Sequence, residues 1–378
     1  MDFSLTKEQM DIQKAAEEFA RGEFDPDRIL EWDQKQAFPE PVWKKACELG
    51  FIGAHFPEAW GGQGLDVLDQ SIIIEAFCRR DSGVGIALGL SDFGSEMVLA
   101  SGNDRQRKSV LPALAQGKGV STLAFLEEGY ALSPFQTRIR KTGRGTFIEG
   151  MKSHVPLAKT ARFILVVCQG DQGNPGGQSV YLLEPDRKNL EVLTLGERLG
   201  MRMIPMERVA FNQVEVFEED LIGGEGRGSG YLNDCLRSLR VEAGAMAVGI
   251  AQGAFDRALD YAGKREQFGK PIVRFDPVKR RLAEMLSSVE SARLLVYRAA
   301  WLLAQGRPDD RAAVLAKRIA TKTALEVTSG AIQIYGGYGY MTEAQVERHY
   351  RDAKALDLFI ESGSMGEDRL GDLITWKS

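Results

Sequence analysis

Apolar residues recur at helical spacing through the first 120 residues, and this pattern predicts an all-helical segment. Ser4 or Thr6 can cap a first amphipathic helix that extends to about Arg21. The same spacing predicts further helices at residues 43–49 and 68–79. The apolar stretch at residues 84–99 is predicted to be helical because of its length. A glycine-rich, turn-forming loop covers residues 56–64.

Short runs of β-branched and aromatic residues replace the helical spacing after about Val120. Glycine and proline turns separate these runs, which is the pattern of a β-rich segment. The predicted strands cover residues 146–150, 162–167, 179–183 and 209–214. A glycine-rich junction at residues 223–228 ends the segment.

Long amphipathic patterns return from Tyr231 onward and predict a bundle of helices. They cover residues 231–268, 276–305, 309–335 and 343–358. We therefore predict an α+β protein of three domains. These are an N-terminal α-helical domain (residues 1–120), a middle β-sandwich or barrel domain (121–225) and a C-terminal four-helix bundle (226–378).

Composition and charge argue against several classes of binding partner. A formal net charge of −5 over 378 residues gives no reason to expect nucleic acid or an anionic membrane. No apolar run approaches the roughly 18 residues of a membrane span, and a charge at Asp2 argues against a signal peptide. The four cysteines are widely spaced, which favours buried free thiols over a disulfide framework or a metal site. A cytoplasmic location is therefore expected.

Two motifs in the last third of the chain carry specific chemistry. Residues 261–272 read Tyr-Ala-Gly-Lys-Arg-Glu-Gln-Phe-Gly-Lys-Pro-Ile, and residues 333–339 read Gln-Ile-Tyr-Gly-Gly-Tyr-Gly. An arginine offers a bidentate fork to phosphate, and glycines allow close backbone approach. An arginine-rich helix and a lone carboxylate, Glu361, follow the second motif.

These motifs resemble the C-terminal signature of the acyl-CoA dehydrogenase family. The order of the three domains, the loop at residues 56–64 and the turn at residues 199–202 are also similar to that family. The resemblance covers essentially the whole chain and implies FAD as cofactor. It implies that the FAD contacts from the two motifs are Arg265, Gln267, Phe268, Phe275, Gln333, Gly336 and Gly337. In the family, neighbouring subunits share each FAD, so a homodimer or homotetramer is implied.

The resemblance also implies the reaction and its base. Glu361 matches the carboxylate that removes the α-proton of an acyl-CoA while a hydride leaves the β-carbon for the flavin. The product is the 2,3-enoyl-CoA, and an electron-transfer flavoprotein accepts the electrons. Some members place the base where this chain has Leu239, which leaves Glu361 as the candidate. Partial desolvation is expected to raise the pKa of Glu361, and Arg240 and Ser133 are expected to contact substrate.

The chain departs from the family pattern where the flavin ring is expected. Leu126 replaces a threonine, His154 replaces a tryptophan, and Pro156 replaces a second threonine. Gly363 falls where the family has a threonine after the base. These four positions are still expected to contact the cofactor, and His154 is expected to act more as a stacking ring than as a proton donor.

Three explanations for these departures remain open at this point. The site could hold FAD and accept an unusual acyl group. The chain could instead be a weakly catalytic or non-catalytic subunit in a hetero-oligomer with a paralogous partner. It could also be a flavin monooxygenase built on the same fold.

Overall fold

The structure is a computed structural model that describes residues 4–129, 135–170, 177–361 and 363–375, without the side chains of residues 363 and 364. Thr6 caps the first helix and exchanges reciprocal hydrogen bonds with Gln9, as its sequence predicts. The helices before the sheet are α1 (Lys7–Glu23), α2 (Pro26–Lys35), α3 (Glu40–Glu48), α4 (Val67–Arg80), α5 (Ser82–Gly89), α6 (Ser95–Ser101) and α7 (Asp104–Ala115).

The single helix predicted at residues 84–99 is wrong, because α5 and α6 are separate helices. Gly94, the residue before α6, has a φ of +86°, a left-handed conformation that interrupts the helical pattern after α5 has ended at Gly89. Asp92 forms a β-bridge with Ser121 at the start of the sheet. The break therefore depends on a contact with a distant strand that helical spacing does not reveal.

The middle of the chain forms one seven-stranded sheet in the described residues. Its strands are β1 (Ser121–Ala124), β2 (Arg138–Thr142), β3 (Gly145–Pro156), β4 (Phe163–Gln169), β5 (Gln178–Leu183), β6 (Leu190–Thr194) and β7 (Met206–Val216). The order is β1-β4-β2-β3-β7-β6, with β5 paired to β4. The four predicted strands are confirmed as β3, β4, β5 and β7. β2 and β6 lack the apolar runs by which those strands were recognised.

The C-terminal helices form the predicted bundle. They are α8 (Gly228–Lys264), α9 (Asp276–Ala304), α10 (Asp310–Tyr335), α11 (Val346–Leu358) and α12 (Gly363–Thr375). The first of them ends before residue 268, because Phe268 and Gly269 adopt positive φ and turn a short hairpin. The hairpin pairs β8 (Glu266–Gln267) with β9 (Lys270–Pro271). The α+β class and the order of helices, sheet and helices are confirmed.

The N-terminal helices and the bundle share one hydrophobic core, while the sheet has a second core of its own. Close packing of α4 on α8 joins the two groups of helices. A Cβ atom at Gly249 would lie 2.4 Å from the carbonyl oxygen of Glu75, and one at Gly253 would lie 2.2 Å from that of Arg79. Glycine is required at this crossing because both backbones approach too closely for any side chain.

The four cysteines, and Arg348 and Asp352 of the arginine-rich helix α11, are all buried in the fold. All four cysteines are buried and free, as predicted. Arg348 of α11 pairs with Asp81 at 2.6 Å. Asp352 accepts hydrogen bonds from Ser82 Oγ and the Met201 amide. Among the described residues, no helix is long and apolar enough to cross a membrane.

We predict that Gly253→Ala lowers the free energy of unfolding by about 1–3 kcal/mol, because α4 and α8 must separate. Gly263→Ala is the matched control, since nothing lies within 4 Å of its Cβ position on the same helix. That change should be neutral or stabilising by up to about 1 kcal/mol. Urea unfolding of both variants checks the prediction, and equal midpoints would contradict it.

Candidate active site

Glu361 follows α11 and is buried, with 3% of its surface exposed. Its carboxylate accepts a bidentate pair of hydrogen bonds from Arg240 of α8. Arg240 Nε lies 2.7 Å from Glu361 Oε1, and Nη2 lies 2.9 Å from Oε2. Lys317 of α10 donates to the carbonyl oxygen of Glu361 at 2.7 Å and to that of Asp357 at 3.1 Å. Two cations from two helices therefore hold this segment.

The pKa of Glu361 is lowered, which is opposite to the expectation from the sequence. Burial alone would raise the pKa, but the hydrogen bonds and charge of Arg240, together with the charge of Lys317, outweigh burial. Burial lowers the pKa of Lys317 itself to about 8. The expectation considered desolvation and could not include a partner that lies 121 residues away. Glu361 is consequently ionised at neutral pH.

Arg240 was expected to contact substrate, and the structure shows it paired with the candidate base. Its Nη1 atom is buried and has no hydrogen-bond partner in the described part of the chain. One guanidinium donor is thus available to another acceptor close to Glu361. Ser133, the other expected substrate contact, lies outside the described residues, and Gly363 begins α12.

A cavity of about 290 Å³ lies beside this segment, between the sheet and α11. Leu126, His154, Phe359 and Ile360 are among the residues that line it. Its volume is at the lower end of the range of about 300–1,000 Å³ that is typical of ligand sites. The structure therefore brings two of the altered positions, Leu126 and His154, to one cavity next to Glu361.

His154 reaches this cavity because β3 is irregular at that point. Its φ is +53°, and the pairing of β3 with β7 shifts register between Lys152 and Val155. Such a bulge re-aims a side chain at a sheet edge. Burial, and then the charge of Arg208, lower the pKa of His154. The ring is therefore neutral at pH 7, which agrees with a stacking role.

A buried ion pair that the sequence did not reveal connects the segments that carry Leu126 and His154. Lys152 Nζ donates to Glu127 Oε1 at 2.8 Å and to the Phe125 carbonyl oxygen at 3.1 Å. Both side chains are buried. Pro156 lies at the end of the same strand, and its carbonyl oxygen accepts from Thr122 Oγ1 at 2.5 Å. Pro156 thus contributes to the strand framework beside the cavity.

Lys317 was also missed, although the sequence carries a signal for it. It occupies the apolar face of α10 together with Ala313, Ala316 and Ala320, all of which are buried. A lysine in a buried stripe is rare unless it has a partner. That signal indicates a buried acceptor, but it does not identify which acceptor.

The two C-terminal motifs lie together at the other end of the bundle. Tyr261 stacks on Tyr335 with 4.1 Å between ring centroids, so both motifs emerge at the same place. The expected FAD contacts that are exposed to solvent here are Arg265, Gln267, Phe268, Gln333, Gly336 and Gly337.

The conformations of these residues suit a phosphate-bearing ligand. Phe268 is 94% exposed and meets Phe275 edge to face. Gly336 has a φ of +63°, and nothing lies within 4 Å of a Cβ atom built at Gly336 or Gly337. An arginine beside an open glycine backbone supplies the charge and N–H donors that a pyrophosphate needs. These residues fit FAD.

The motifs are far from Glu361 within one chain. Arg265 follows Arg240 by 25 residues of nearly continuous helix, which spans about 37 Å at about 1.5 Å per residue. The structure therefore brings the expected cofactor contacts together in two groups, one at the cavity and one at the far end of the bundle.

Comparisons with known families assign the chain to a class. Residues 6–118, 126–214 and 226–360 match the N-terminal, middle and C-terminal domains of acyl-CoA dehydrogenase. The chain therefore belongs to the acyl-CoA dehydrogenase family, whose members are FAD-dependent oxidoreductases. FAD is its cofactor.

Particular relatives resemble it over nearly their full length. Benzylmalonyl-CoA dehydrogenase of Aromatoleum aromaticum is 32% identical, with 94% of each chain covered. The structure of butyryl-CoA dehydrogenase from Megasphaera elsdenii is 30% identical, covers 99% of this chain and 100% of its own, and has a TM-score of 0.94. A chain in the structure of the electron transferring flavoprotein of Acidaminococcus fermentans is 32% identical, with 99% of each chain covered and a TM-score of 0.94.

We predict that Arg240→Met costs about 3–5 kcal/mol of stability at pH 7, because it leaves a buried carboxylate unpaired. In the unaltered protein the lowered pKa means that this contribution is present above the ordinary carboxyl pKa and is lost as pH falls through the lowered value. In the variant the trend should reverse, since protonation removes the unpaired charge. Urea unfolding of the variant at pH 7 and pH 5 measures the loss and its reversal, and unfolding of the unaltered protein at pH 5 and pH 3 measures the fall in the contribution of the pair.

Arg237→Met is the control for this prediction. Arg237 lies on the same helix and pairs with Asp310 and with Asp234, whose carboxylate is exposed. A pair of this kind contributes about 1 kcal/mol or less. A loss at Arg240 no greater than the loss at Arg237 would show that the buried pair does not stabilise the fold.

Proposed function

We propose that the chain oxidises an acyl-CoA to its 2,3-enoyl-CoA, with Glu361 as the base that removes the α-proton. The observation that carries this proposal is the burial of an ionised Glu361 directly after Phe359 and Ile360, which line a largely apolar cavity. A base must be deprotonated before it can act, and Arg240 and Lys317 keep this carboxylate charged. Its position matches the sequence position at which the family has its base.

The ion pair with Arg240 implies two states of the site. While the fork is intact, Glu361 is ionised but has a low proton affinity, which is poorly matched to an α-proton. Substrate that separates the carboxylate from Arg240 would leave burial as the dominant effect and raise the proton affinity. The free donor on Arg240 Nη1 offers an acceptor on the substrate a contact that favours this change.

The reaction then requires removal of a proton and a hydride from adjacent carbons. One Oε atom of Glu361 takes the α-proton, and the electrons left on the α-carbon form the new double bond as a hydride leaves the β-carbon. FAD, when bound, supplies the acceptor for that hydride. Hydrogen-bond donors near the thioester oxygen stabilise the negative charge that develops there. Leu126, Phe359 and Ile360 exclude water from this part of the site.

A complete site in this proposal needs two copies of the chain. Leu126, His154 and Pro156 contact the flavin ring of their own subunit, whereas Arg265, Gln267, Phe268, Phe275, Gln333, Gly336 and Gly337 serve the FAD of a neighbouring copy. The separation of about 37 Å along α8 supports this division. A homodimer, or two paired into a homotetramer, satisfies it, and a hetero-oligomer with a paralogue would do so as well.

The electron acceptor in this proposal is an electron-transfer flavoprotein. The likeness to a chain in the structure of such a protein from Acidaminococcus fermentans supports it. A cytoplasmic location stays a prediction that the buried free thiols support.

We predict that Glu361→Gln retains FAD and loses about 10²–10⁴-fold in the rate at which acyl-CoA bleaches the flavin absorbance, because the amide cannot take the α-proton. Stopped-flow bleaching under anaerobic conditions measures this rate with a panel of acyl-CoAs. Glu326→Gln on the exposed face of α10 makes the same change of charge and should bleach at the unaltered rate.

Other outcomes of that experiment point elsewhere. Bleaching of Glu361→Gln at the unaltered rate would remove Glu361 from the role of base. A protein that stays colourless after FAD is added would favour the non-catalytic subunit. A yellow protein that no acyl-CoA bleaches, but that consumes oxygen once reduced, would favour a monooxygenase.

We predict that Arg265→Gln weakens FAD binding roughly 10- to 150-fold, the effect of losing a charge-assisted hydrogen bond of about 1.5–3 kcal/mol. Ultrafiltration and absorbance of the released flavin measure the loss. Arg274→Gln is the control, since Arg274 is an exposed arginine just after the same hairpin. Equal FAD retention in the two variants would exclude Arg265 from the cofactor site.

A further inference from the structure

A second, small cavity lies where α4, the α5–α6 connection and α8 meet. Its volume is about 20 Å³, which exceeds the roughly 10–15 Å³ that a single water needs. Leu88 and Gly89 form part of its apolar wall, and its polar lining consists of Gln70 and three carboxyl groups, those of Asp92, Glu96 and Glu242. The cavity thus has room for one small polar group surrounded by acids.

Glu242 is the most informative of the three acids. It is only 6% exposed, yet within the described ranges it makes no hydrogen bond or ion pair, and its electrostatic neighbours are Glu96 and Asp92. Asp92 accepts one hydrogen bond from the Gly53 amide at 3.3 Å. Glu96 has a weak contact from Cys235 Sγ at 4.0 Å. A buried carboxyl without a partner is costly, so this cluster does not stabilise the fold.

No cation among the described residues compensates these acids from the elements that pack on them. Burial, and for Glu96 also repulsion by Asp92, raise the pKa of Asp92 to about 6 and that of Glu96 to about 8. Burial and both neighbours raise the pKa of Glu242 as well. His55 lies behind the cavity wall and is neutral, because burial lowers its pKa to about 4. The cavity therefore lacks a positive charge.

The cavity adjoins the proposed active site through three aromatic rings. Phe93 follows Asp92 directly and meets Phe125 and Phe359 with ring centroids 6.4 Å and 6.0 Å apart. Phe359 lines the larger cavity, two residues before Glu361. Glu242 and Arg240 are also only two residues apart on α8. A thioester at Glu361 would place the distal end of an acyl group on the side of Phe93, whose ring stands between the larger cavity and the acids.

We propose that the three carboxyl groups receive a cationic nitrogen at the distal end of the acyl group, so that the substrate is an aminoacyl-type thioester. This inference rests on the proposed function, because it takes the site at Glu361 as the place of the thioester. An ammonium group offers three N–H donors and a positive charge, which complement an acid cluster in which Glu242 accepts no hydrogen bond from the described residues. A methyl group in the same place would leave Glu242 without a partner.

The test compares two series of CoA thioethers by calorimetry with the FAD-loaded enzyme. One series ends in an ammonium group, and the other has a methyl group in its place. A thioether lacks the carbonyl that acidifies the α-proton, so binding is measured independently of oxidation and of the role of Glu361. For the chain length that fits, we expect the ammonium compound to bind at least about tenfold more tightly at pH 8. This preference should diminish at pH 6, where Glu96 is protonated and Asp92 is partly protonated.

Two variants and a control complete the design. Glu242→Gln and Glu96→Gln keep the size of the side chain but remove its ability to take on a negative charge, and each should reduce the preference by about tenfold. Glu18→Gln on the exposed face of α1 makes the same change of net charge and should leave the preference unaltered. Tighter binding of the methyl series, or an undiminished preference in both cavity variants, would overturn the proposal. Failure of acyl-CoA to bleach the flavin would count against the proposed function alone.

Discussion

The buried ion pair between Arg240 and Glu361 is the interaction on which the arrangement of the site depends. Removing two charges from water is expensive, and their attraction repays that cost only when the geometry is nearly ideal. The fork must therefore keep α8 and the segment after α11 in register, and Lys317 fixes the same segment from α10. Because α8 also packs against α4 through Gly249 and Gly253, the N-terminal helices are held in the same frame.

Stability and reactivity place opposite demands on this pair. Arg240 makes the burial of Glu361 tolerable and keeps it ionised, but the same contact lowers its affinity for a proton. A base for a weakly acidic C–H bond needs the higher proton affinity that burial alone would give it. In the proposed reaction, the binding energy of the substrate has to supply the difference between these two demands.

Long-range contacts mark the limit of what the sequence could predict. The bundle helices were predicted nearly to their ends because their periodic patterns run for many turns. The break between α5 and α6 was not, because it depends on Gly94 and on the bridge from Asp92 to Ser121. Glu361 was identified through resemblance to a family, but its contacts with Arg240 and Lys317 are apparent only in the folded structure. The pKa of Glu361 was misjudged for the same reason.

The two groups of buried acids show how the same side chain acquires opposite properties. Arg240, Lys317 and Arg369 lower the pKa of Glu361, whereas burial and the neighbouring acids Glu96 and Asp92 raise the pKa of Glu242. Arg240, the partner of Glu361, and Glu242 lie on the same turn of α8 but on different faces of the helix. The opposite pKa shifts of Glu361 and Glu242 therefore arise from the face of the helix and not from depth in the protein. A carboxyl that has its own cation needs nothing further for stability. A buried carboxyl group without a cation nearby is favoured in its protonated form, and a positive charge on a ligand would favour its ionised form instead.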